Sequence, residues 1–123
     1  MTFDVDGWMI QSNPSPLGGG FTVISDTQTI THQMDYPGFT NNHAEILALA
    51  CGVHLAQPHD TIRTDSQIAL AWVKRRNSPK RPDLNPIIRF IARYAEDKHL
   101  LLEWIPREHN RAGIYNEQHH SGG

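Results

Sequence analysis

A short segment near the start of the chain constrains the fold most, because it combines the pattern of a buried strand with acidic side chains. Residues 3–7 read Phe-Asp-Val-Asp-Gly. In a β-strand, Asp4 and Asp6 project to one face, while Phe3 and Val5 project to the other. Carboxylates are costly to bury without partners, so this face requires solvent, cationic side chains or a metal ion. The final Asp-Gly pair also fits a hairpin turn, which remains an alternative at this point.

Apolar periodicity and turn residues along the chain predict an α/β fold with a mixed sheet. We predict strands over residues 2–9, 21–26, 29–34, 59–65 and 100–105, and helices that begin at residues 40–42, at residue 66 and after a cap at Asp83 or Asn85. The first three strands have short connections and should form an antiparallel meander. Strands separated by helices are usually parallel. The polar tail over residues 106–123 carries weak structural signals.

Length and composition bound the class of protein. The 123 residues fit one domain spanning residues 1–123. A single cysteine, Cys51, excludes an intramolecular disulfide, and no apolar run approaches the length of a membrane span. There is no signal-peptide pattern at the N-terminus. We therefore expect no membrane association, and we take a monomer in the cytoplasm as the default.

Charge is distributed unevenly. The formal net charge of −2 does not suggest a nucleic-acid-binding protein, but five of the eleven basic residues lie within residues 74–81. This short loop, with Trp72, Lys74 and Arg75, is a candidate for contacts with phosphates, which position a protein without reading sequence. A solvated run of charges is the alternative.

Three acidic residues fall where secondary-structure elements begin or end. Asp6 lies in the first predicted strand, Glu45 near the start of the first helix, and Asp65 at the end of the fourth strand. If the two strands are parallel neighbours, both aspartates lie at the edge where ligands bind in open α/β sheets. Converging carboxylates repel one another unless hard cations such as Mg²⁺ join them, and two such ions support phosphodiester cleavage. Taken singly, Glu45 also suits a helix dipole and Asp65 a helix cap.

The order of these motifs resembles type 1 ribonuclease H. The resemblance rests on Asp6-Gly7, Asn13-Pro14 with Gly18-Gly19-Gly20, Thr40-Asn41-Asn42-His43-Ala44-Glu45, Thr64-Asp65-Ser66-Gln67 and Trp104-Ile105-Pro106-Arg107-Glu108-His109-Asn110. It implies a five-stranded mixed sheet flanked by helices, and endonucleolytic cleavage of the RNA strand of RNA–DNA hybrids with two Mg²⁺ or Mn²⁺ ions. A catalytically impaired hybrid-binding module and another nuclease of the same superfamily are the alternatives.

The resemblance also implies roles for individual residues. It implies that Asp6, Glu45 and Asp65 are catalytic metal ligands. The residues expected to approach or contact the hybrid are Gly7, Asn13, Asn42 and Gln67. His109 is expected to aid product release or proton transfer, as a flexible histidine does in many relatives.

The tail departs from the family pattern at the fourth metal ligand, which is an acid in or near the start of a C-terminal helix. Alignment on Asn110 places Ile114 at that position, and alignment on Asn116-Glu117 places His120 there. Glu117 is the only acid after Glu108 and lies three residues beyond Ile114, on roughly the same helical face. We therefore predict Glu117 as the fourth, catalytic metal ligand. Asn116 or His120 as a neutral ligand, or no fourth ligand, are the alternatives.

Overall fold

A five-stranded sheet with helices on both faces makes up the computed structural model, which describes residues 1–120. The strands are β1 (Thr2–Met9), β2 (Gly19–Ile24), β3 (Thr29–Met34), β4 (Thr61–Thr64) and β5 (Leu101–Trp104). The helices are α1 (Asn41–Leu55), α2 (Gln67–Arg75), α3 (Asn85–Asp97) and α4 (Arg111–His119), with short 3₁₀ helices at Pro82–Leu84 and Arg107–His109. Within residues 1–120, no helix combines the length and apolar character needed to cross a bilayer.

The sheet has the mixed topology expected from the sequence. Its strand order is β3-β2-β1-β4-β5, with β1, β2 and β3 antiparallel and β4 parallel to both β1 and β5. Val5 of β1 is paired with Thr64 of β4. The residues that follow them, Asp6 and Asp65, therefore lie side by side where β4 ends and β1 continues beside β2 alone.

The two faces of β1 have different partners. Phe3 and Val5 belong to the apolar core, together with residues of α1 such as Leu49. At Gly7 the helix approaches so closely that a Cβ atom would lie 2.5 Å from the Cβ atom of Ala44. The absence of a side chain at this position therefore lets α1 pack directly on β1.

The opposite face of β1 is acidic and is covered by α4. Asp4 is fully buried and accepts hydrogen bonds from Arg63 (2.7 and 2.9 Å) and from the Arg111 side chain (3.0 Å). Burial alone raises the pKa of Asp4, but the hydrogen bonds from the two arginines outweigh it and hold the pKa below its ordinary value. Asp4 is thus a structural anion that fastens α4 and β4 to β1.

Helix α4 lies in the tail, where the residue pattern carries only weak structural signals and the family resemblance implies a C-terminal helix. Asn110 caps it by accepting hydrogen bonds from the backbone N–H groups of Ala112 (3.0 Å) and Gly113 (3.2 Å). The Asn110 amide also donates to the Val5 carbonyl (2.9 Å), so the cap is fixed to β1. Smaller differences concern β2, which begins two residues earlier than predicted, and β4, which is shorter because His59 has a positive φ of 70°.

Candidate metal centre

Three carboxylates meet where the parallel pairing of β1 with β4 ends. Asp6 is provided by β1, Asp65 follows β4, and Glu45 reaches them from α1 across Gly7. Each offers an oxygen atom, and these three atoms lie within 4.8 Å of one another. Asp6 and Glu45 are buried, and the Asp65 side chain is 12% exposed. The structure thus brings together the three acidic residues that the sequence motifs singled out.

Neighbouring groups satisfy only part of this acidic cluster. The Gly7 N–H donates to Oε1 of Glu45 at 2.9 Å, and the Asn116 amide donates to Oδ2 of Asp6 at 2.9 Å. Asn110 donates to Oδ2 of Asp65 at 3.3 Å. Oε2 of Glu45 is buried and has no hydrogen-bond partner among residues 1–120. A buried carboxylate oxygen without a partner is costly, so this atom indicates a position for a ligand.

Arg107 is a functional candidate that the motif reasoning missed. Its Nη1 atom lies 3.5 Å from both Oδ1 of Asp6 and Oδ2 of Asp65, and its Nε atom donates to Glu117 at 3.0 Å. It follows β5, whose parallel pairing with β4 places the end of β5 beside Asp65. The parallel pairing of β4 with β5 is the signal that could have identified Arg107, because residues that follow neighbouring parallel strands lie at the same edge of the sheet. One half-exposed guanidinium cannot neutralise three carboxylates.

The pKa values of the three acids reflect this shortage of positive charge. Burial raises the pKa of Asp6, although hydrogen bonds from Asn116 and Arg107 oppose it. Burial and the charge of Asp6 raise the pKa of Glu45 well above its ordinary value. The same two causes raise the pKa of Asp65 to about 6. A cation that binds here would therefore displace protons as well as gain three oxygen ligands.

The donor set fits a hard divalent cation. All three groups offer carboxylate oxygens, which are the ligands that Mg²⁺ and Mn²⁺ prefer. The unpartnered Oε2 of Glu45 and the raised pKa values of Glu45 and Asp65 also favour binding of a cation. Asp6, Glu45 and Asp65 are consequently the residues that could hold such an ion.

The fourth position differs from the sequence expectation. Glu117 is 62% exposed and pairs with Arg107, so the structure does not bring it to the acidic cluster. Asn116 is 3% exposed and contacts Asp6, while its amide oxygen accepts a hydrogen bond from Thr22. The reason is the rotation of α4: Ile114, from which the position of Glu117 was inferred, is itself exposed, and the inward face carries Ala112, Gly113 and Asn116.

The two histidines considered for the site, His109 and His120, do not belong to the acidic cluster. The His120 ring stacks on Trp8 with the ring centroids 3.8 Å apart, and burial lowers its pKa. His109 is exposed on the 3₁₀ helix between β5 and α4. From that segment, Arg107 rather than His109 contacts the carboxylates.

The residues expected to contact a hybrid border two clefts. Gly7 and Asn13 line a cleft of about 550 Å³ on one side of the cluster, together with Arg107 and Asn116. Asn42 and Gln67 line a second cleft of about 380 Å³, which also includes Glu45 and Asp65. Gly7 faces α1 with the side where a Cβ would be, so its small size serves packing as well as access.

The expected contribution of Trp72 to a surface is contradicted. Trp72 is 5% exposed and belongs to the apolar core, because it lies on the inward face of α2 with Ala69 and Val73. Lys74 and Arg75, at the end of the same helix, are exposed as expected. The exposed tryptophan on this side is Trp104 of β5, which is 44% exposed.

Comparison with protein families shows which family the chain belongs to. The profile of the reverse transcriptase-like family matches residues 4–115, and the chain belongs to this family. The resemblance to type 1 ribonuclease H and the predicted five-stranded mixed sheet are both confirmed.

Solved structures of ribonucleases H have the same fold. Ribonuclease H1 from Halobacterium salinarum is 20% identical with a TM-score of 0.73, and the match covers 98% of this chain and 97% of that chain. The N-terminal ribonuclease H domain of a Mycobacterium tuberculosis protein is 24% identical with a TM-score of 0.69, covering 93% and 92%. LC11 ribonuclease H1 in complex with an RNA/DNA hybrid is 24% identical with a TM-score of 0.63, covering 89% and 88%. A comparison with curated protein sequences found no match.

Proposed function

We propose that the protein is an endonuclease that hydrolyses the RNA strand of RNA–DNA hybrids with two divalent ions, Mg²⁺ or Mn²⁺. The observation that carries the proposal is the convergence of Asp6, Glu45 and Asp65, whose ligand oxygens lie within 4.8 Å of one another. The fold supports this chemistry, and one structural neighbour was solved with an RNA/DNA hybrid. Divalent ions held by these carboxylates would activate a water molecule and neutralise charge on the scissile phosphate.

The residues of the chain prepare the site in distinct ways. Asp6 lies between the other two acids and is held by the Asn116 amide. Glu45 is fixed by the Gly7 N–H, which leaves its second oxygen available to a ligand. Asn42 and Gln67 border the same cleft as the acids and supply amide groups for the minor groove, where an A-like duplex exposes 2′-hydroxyl groups.

Cleavage assays test the proposal directly. The protein is incubated with labelled RNA–DNA hybrid, single-stranded RNA and duplex DNA, with Mg²⁺, with Mn²⁺ and with a chelator. We expect cleavage of the hybrid alone, and only with a divalent ion. Asp65→Asn should abolish cleavage, whereas Glu103→Gln, which changes an exposed acid outside the cluster, should not. Cleavage of duplex DNA instead would indicate another nuclease of the superfamily.

A hybrid-binding module without activity is the second candidate, and Asn116 is the observation that favours it. The side chain of α4 that contacts Asp6 is the neutral amide of Asn116, and no fourth acid joins the cluster within residues 1–120. A neutral ligand holds a divalent ion less firmly than a carboxylate does. Hybrid binding without cleavage in either metal would support this candidate.

The fourth position can be assigned by comparing four variants. We propose that Asn116 takes this role, so Asn116→Ala should impair cleavage and Asn116→Asp should retain or increase it. Glu117→Ala and His120→Ala should have smaller effects, because Glu117 is exposed and His120 packs on Trp8. A loss of activity confined to Glu117→Ala would restore the assignment made from the sequence.

A further inference from the structure

A groove leads from the acidic cluster along the edge of the sheet. The cleft of about 380 Å³ that contains Glu45 and Asp65 is also lined by Gln67 and Trp104. The same Gln67 and Trp104 line a neighbouring cleft of about 270 Å³, whose far end is formed by Lys74. Because these two residues belong to both clefts, the surface is continuous. We call it the Trp104 groove.

Trp104 is held in place within this groove but not covered. It is the last residue of the edge strand β5, and it is 44% exposed. Its indole N–H donates to the carbonyl oxygen of Asp65 at 3.2 Å, which fixes the ring beside the residue that carries a cluster carboxylate. A large aromatic side chain that is both oriented and exposed is typical of a binding surface.

The chemistry of the groove changes along its length in a way that suits a nucleic-acid strand. Carboxylates lie at one end, the apolar Trp104 and Leu70 lie between, and the exposed Lys74 lies at the other end. Single strands are commonly bound by aromatic rings that stack on nucleotides and by basic residues that contact phosphates. Lys74 lies seven positions after Gln67 on α2, which corresponds to about 10 Å, or about three base-pair steps along the axis of a duplex.

We propose, on the basis of the proposed hybrid cleavage, that the Trp104 groove holds the cleaved strand on one side of the scissile phosphate. Trp104 packs against the ribose of the nucleotide next to that phosphate, and Lys74 contacts a phosphate further along. The strand is the cleaved one because the groove opens directly onto Glu45 and Asp65. The aromatic residue that accompanies Lys74 is thus Trp104, in place of the buried Trp72.

Binding measurements test the role of the ring. Fluorescence anisotropy of a labelled hybrid is measured with Mg²⁺ in an Asp6→Asn background, so that the hybrid is bound but not cut. Trp104→Ala should weaken binding about tenfold, the size expected when the substrate covers the exposed part of a large aromatic side chain, and Trp104→Phe should keep most of the affinity. Leu101→Ala is the matched control, since Leu101 lies on the same strand and is 55% exposed but does not line the groove.

The two tryptophan variants separate binding from a structural role. If Trp104 only anchors Asp65 through its N–H group, Trp104→Phe loses that bond and should be as weak as Trp104→Ala, which would overturn the inference. Equal affinity of Trp104→Ala and the background protein, or no hybrid binding at low salt, would also overturn it.

End mapping tests the direction of the groove. With the protein that retains Asp6, end-labelled hybrids show how close to each end cleavage can occur. Trp104→Ala should change this limit at one end of the RNA strand only, and an unchanged or symmetric limit would contradict the inference. If the wild-type protein does not cleave the hybrid but Trp104→Ala weakens hybrid binding, the proposed reaction is refuted and the role of the groove is kept. If the protein cleaves the hybrid and Trp104→Ala changes neither binding nor the cleavage limit, the role of the groove is refuted and the proposed reaction is kept.

Discussion

Replacing Glu45 with glutamine should stabilise the protein in the absence of metal, although it removes a residue of the candidate metal centre. The Glu45 side chain is buried, and its Oε2 atom lacks a partner within residues 1–120. Glu45→Gln keeps the oxygen that accepts from the Gly7 N–H and removes the ionisable group. The change therefore relieves the electrostatic cost with little change of shape.

The magnitude follows from the geometry of the cluster. Two charges separated by the upper limit of 4.8 Å repel by about 3.5 kcal/mol at an effective dielectric constant of about 20. Protonation avoids this repulsion. Keeping the proton on Glu45 at pH 7 costs up to about 3.4 kcal/mol, because its ordinary pKa is 4.5 and each unit corresponds to about 1.4 kcal/mol. The new amide nitrogen can donate to the Asp6 carboxylate, as the protonated Glu45 does, so we expect a net gain of about 1–3 kcal/mol.

Urea unfolding with a chelator at pH 5 and pH 7 provides the assay. Because the folded state raises the pKa of Glu45, the wild-type protein binds more protons when folded and loses stability as the pH rises above 4.5. The variant lacks this contribution. Its advantage should therefore fall below about 1 kcal/mol at pH 5 and be largest at pH 7.

Saturating Mg²⁺ should reverse the order. A ligand at a hundred times its dissociation constant stabilises the folded state by about 2.7 kcal/mol, and Glu45→Gln should lose most of that increment. Glu108→Gln, which alters an exposed acid, is the control and should change neither result. A variant that is less stable than wild type by the same amount at both pH values would refute the electrostatic account of the cluster.

Three further changes test other parts of the structure. Arg107→Ala should tighten Mg²⁺ binding about two- to fivefold by titration calorimetry, since a half-exposed ion pair that competes with the metal contributes roughly 0.2–1 kcal/mol; weaker binding would contradict this. Gly7→Ala should destabilise the protein in urea by about 1–3 kcal/mol or more, because its Cβ atom would overlap Ala44, and an unchanged midpoint would contradict the close packing. Asp4→Ala should cost about 3 kcal/mol by leaving the Arg63 charge without its partner, yet retain the stabilisation by Mg²⁺; loss of that stabilisation would place Asp4 in the metal centre.

The sheet could be predicted from the sequence because its signals are local. The strand at Thr2–Met9 has the predicted bounds, as does the strand at Thr29–Met34. Short connections fix the antiparallel pairs, and intervening helices fix the parallel ones. These rules place Asp6 and Asp65 together without any knowledge of the packing of side chains.

Helix α4 has only a weak signal in the residue pattern because its inward face has no apolar stripe. That face carries Ala112, Gly113 and Asn116, which are small or polar, and the helix is held by the Asn110 cap and by Arg111. The rotation of the helix decides which residue meets Asp6. Spacing from the exposed Ile114 therefore led to Glu117, which is exposed and lies outside the acidic cluster.

The two tryptophans show that the exposure of a side chain is also hard to predict from sequence. Composition alone does not tell which of Trp72 and Trp104 lies at the surface. The packing of α2 on the core buries Trp72, whereas the edge position of β5 leaves Trp104 exposed. Which side of an element faces the core is settled by tertiary packing, and a single sequence constrains it weakly.

The central claim is that Asp6, Glu45 and Asp65 form a divalent metal centre. Anomalous diffraction from crystals grown with Mn²⁺ tests it most directly, because the signal locates manganese independently of any assumed ligand. The account predicts at least one anomalous peak within coordination distance of all three carboxylates, with Arg107 no longer between Asp6 and Asp65. Bound manganese elsewhere and none at this cluster would contradict the account.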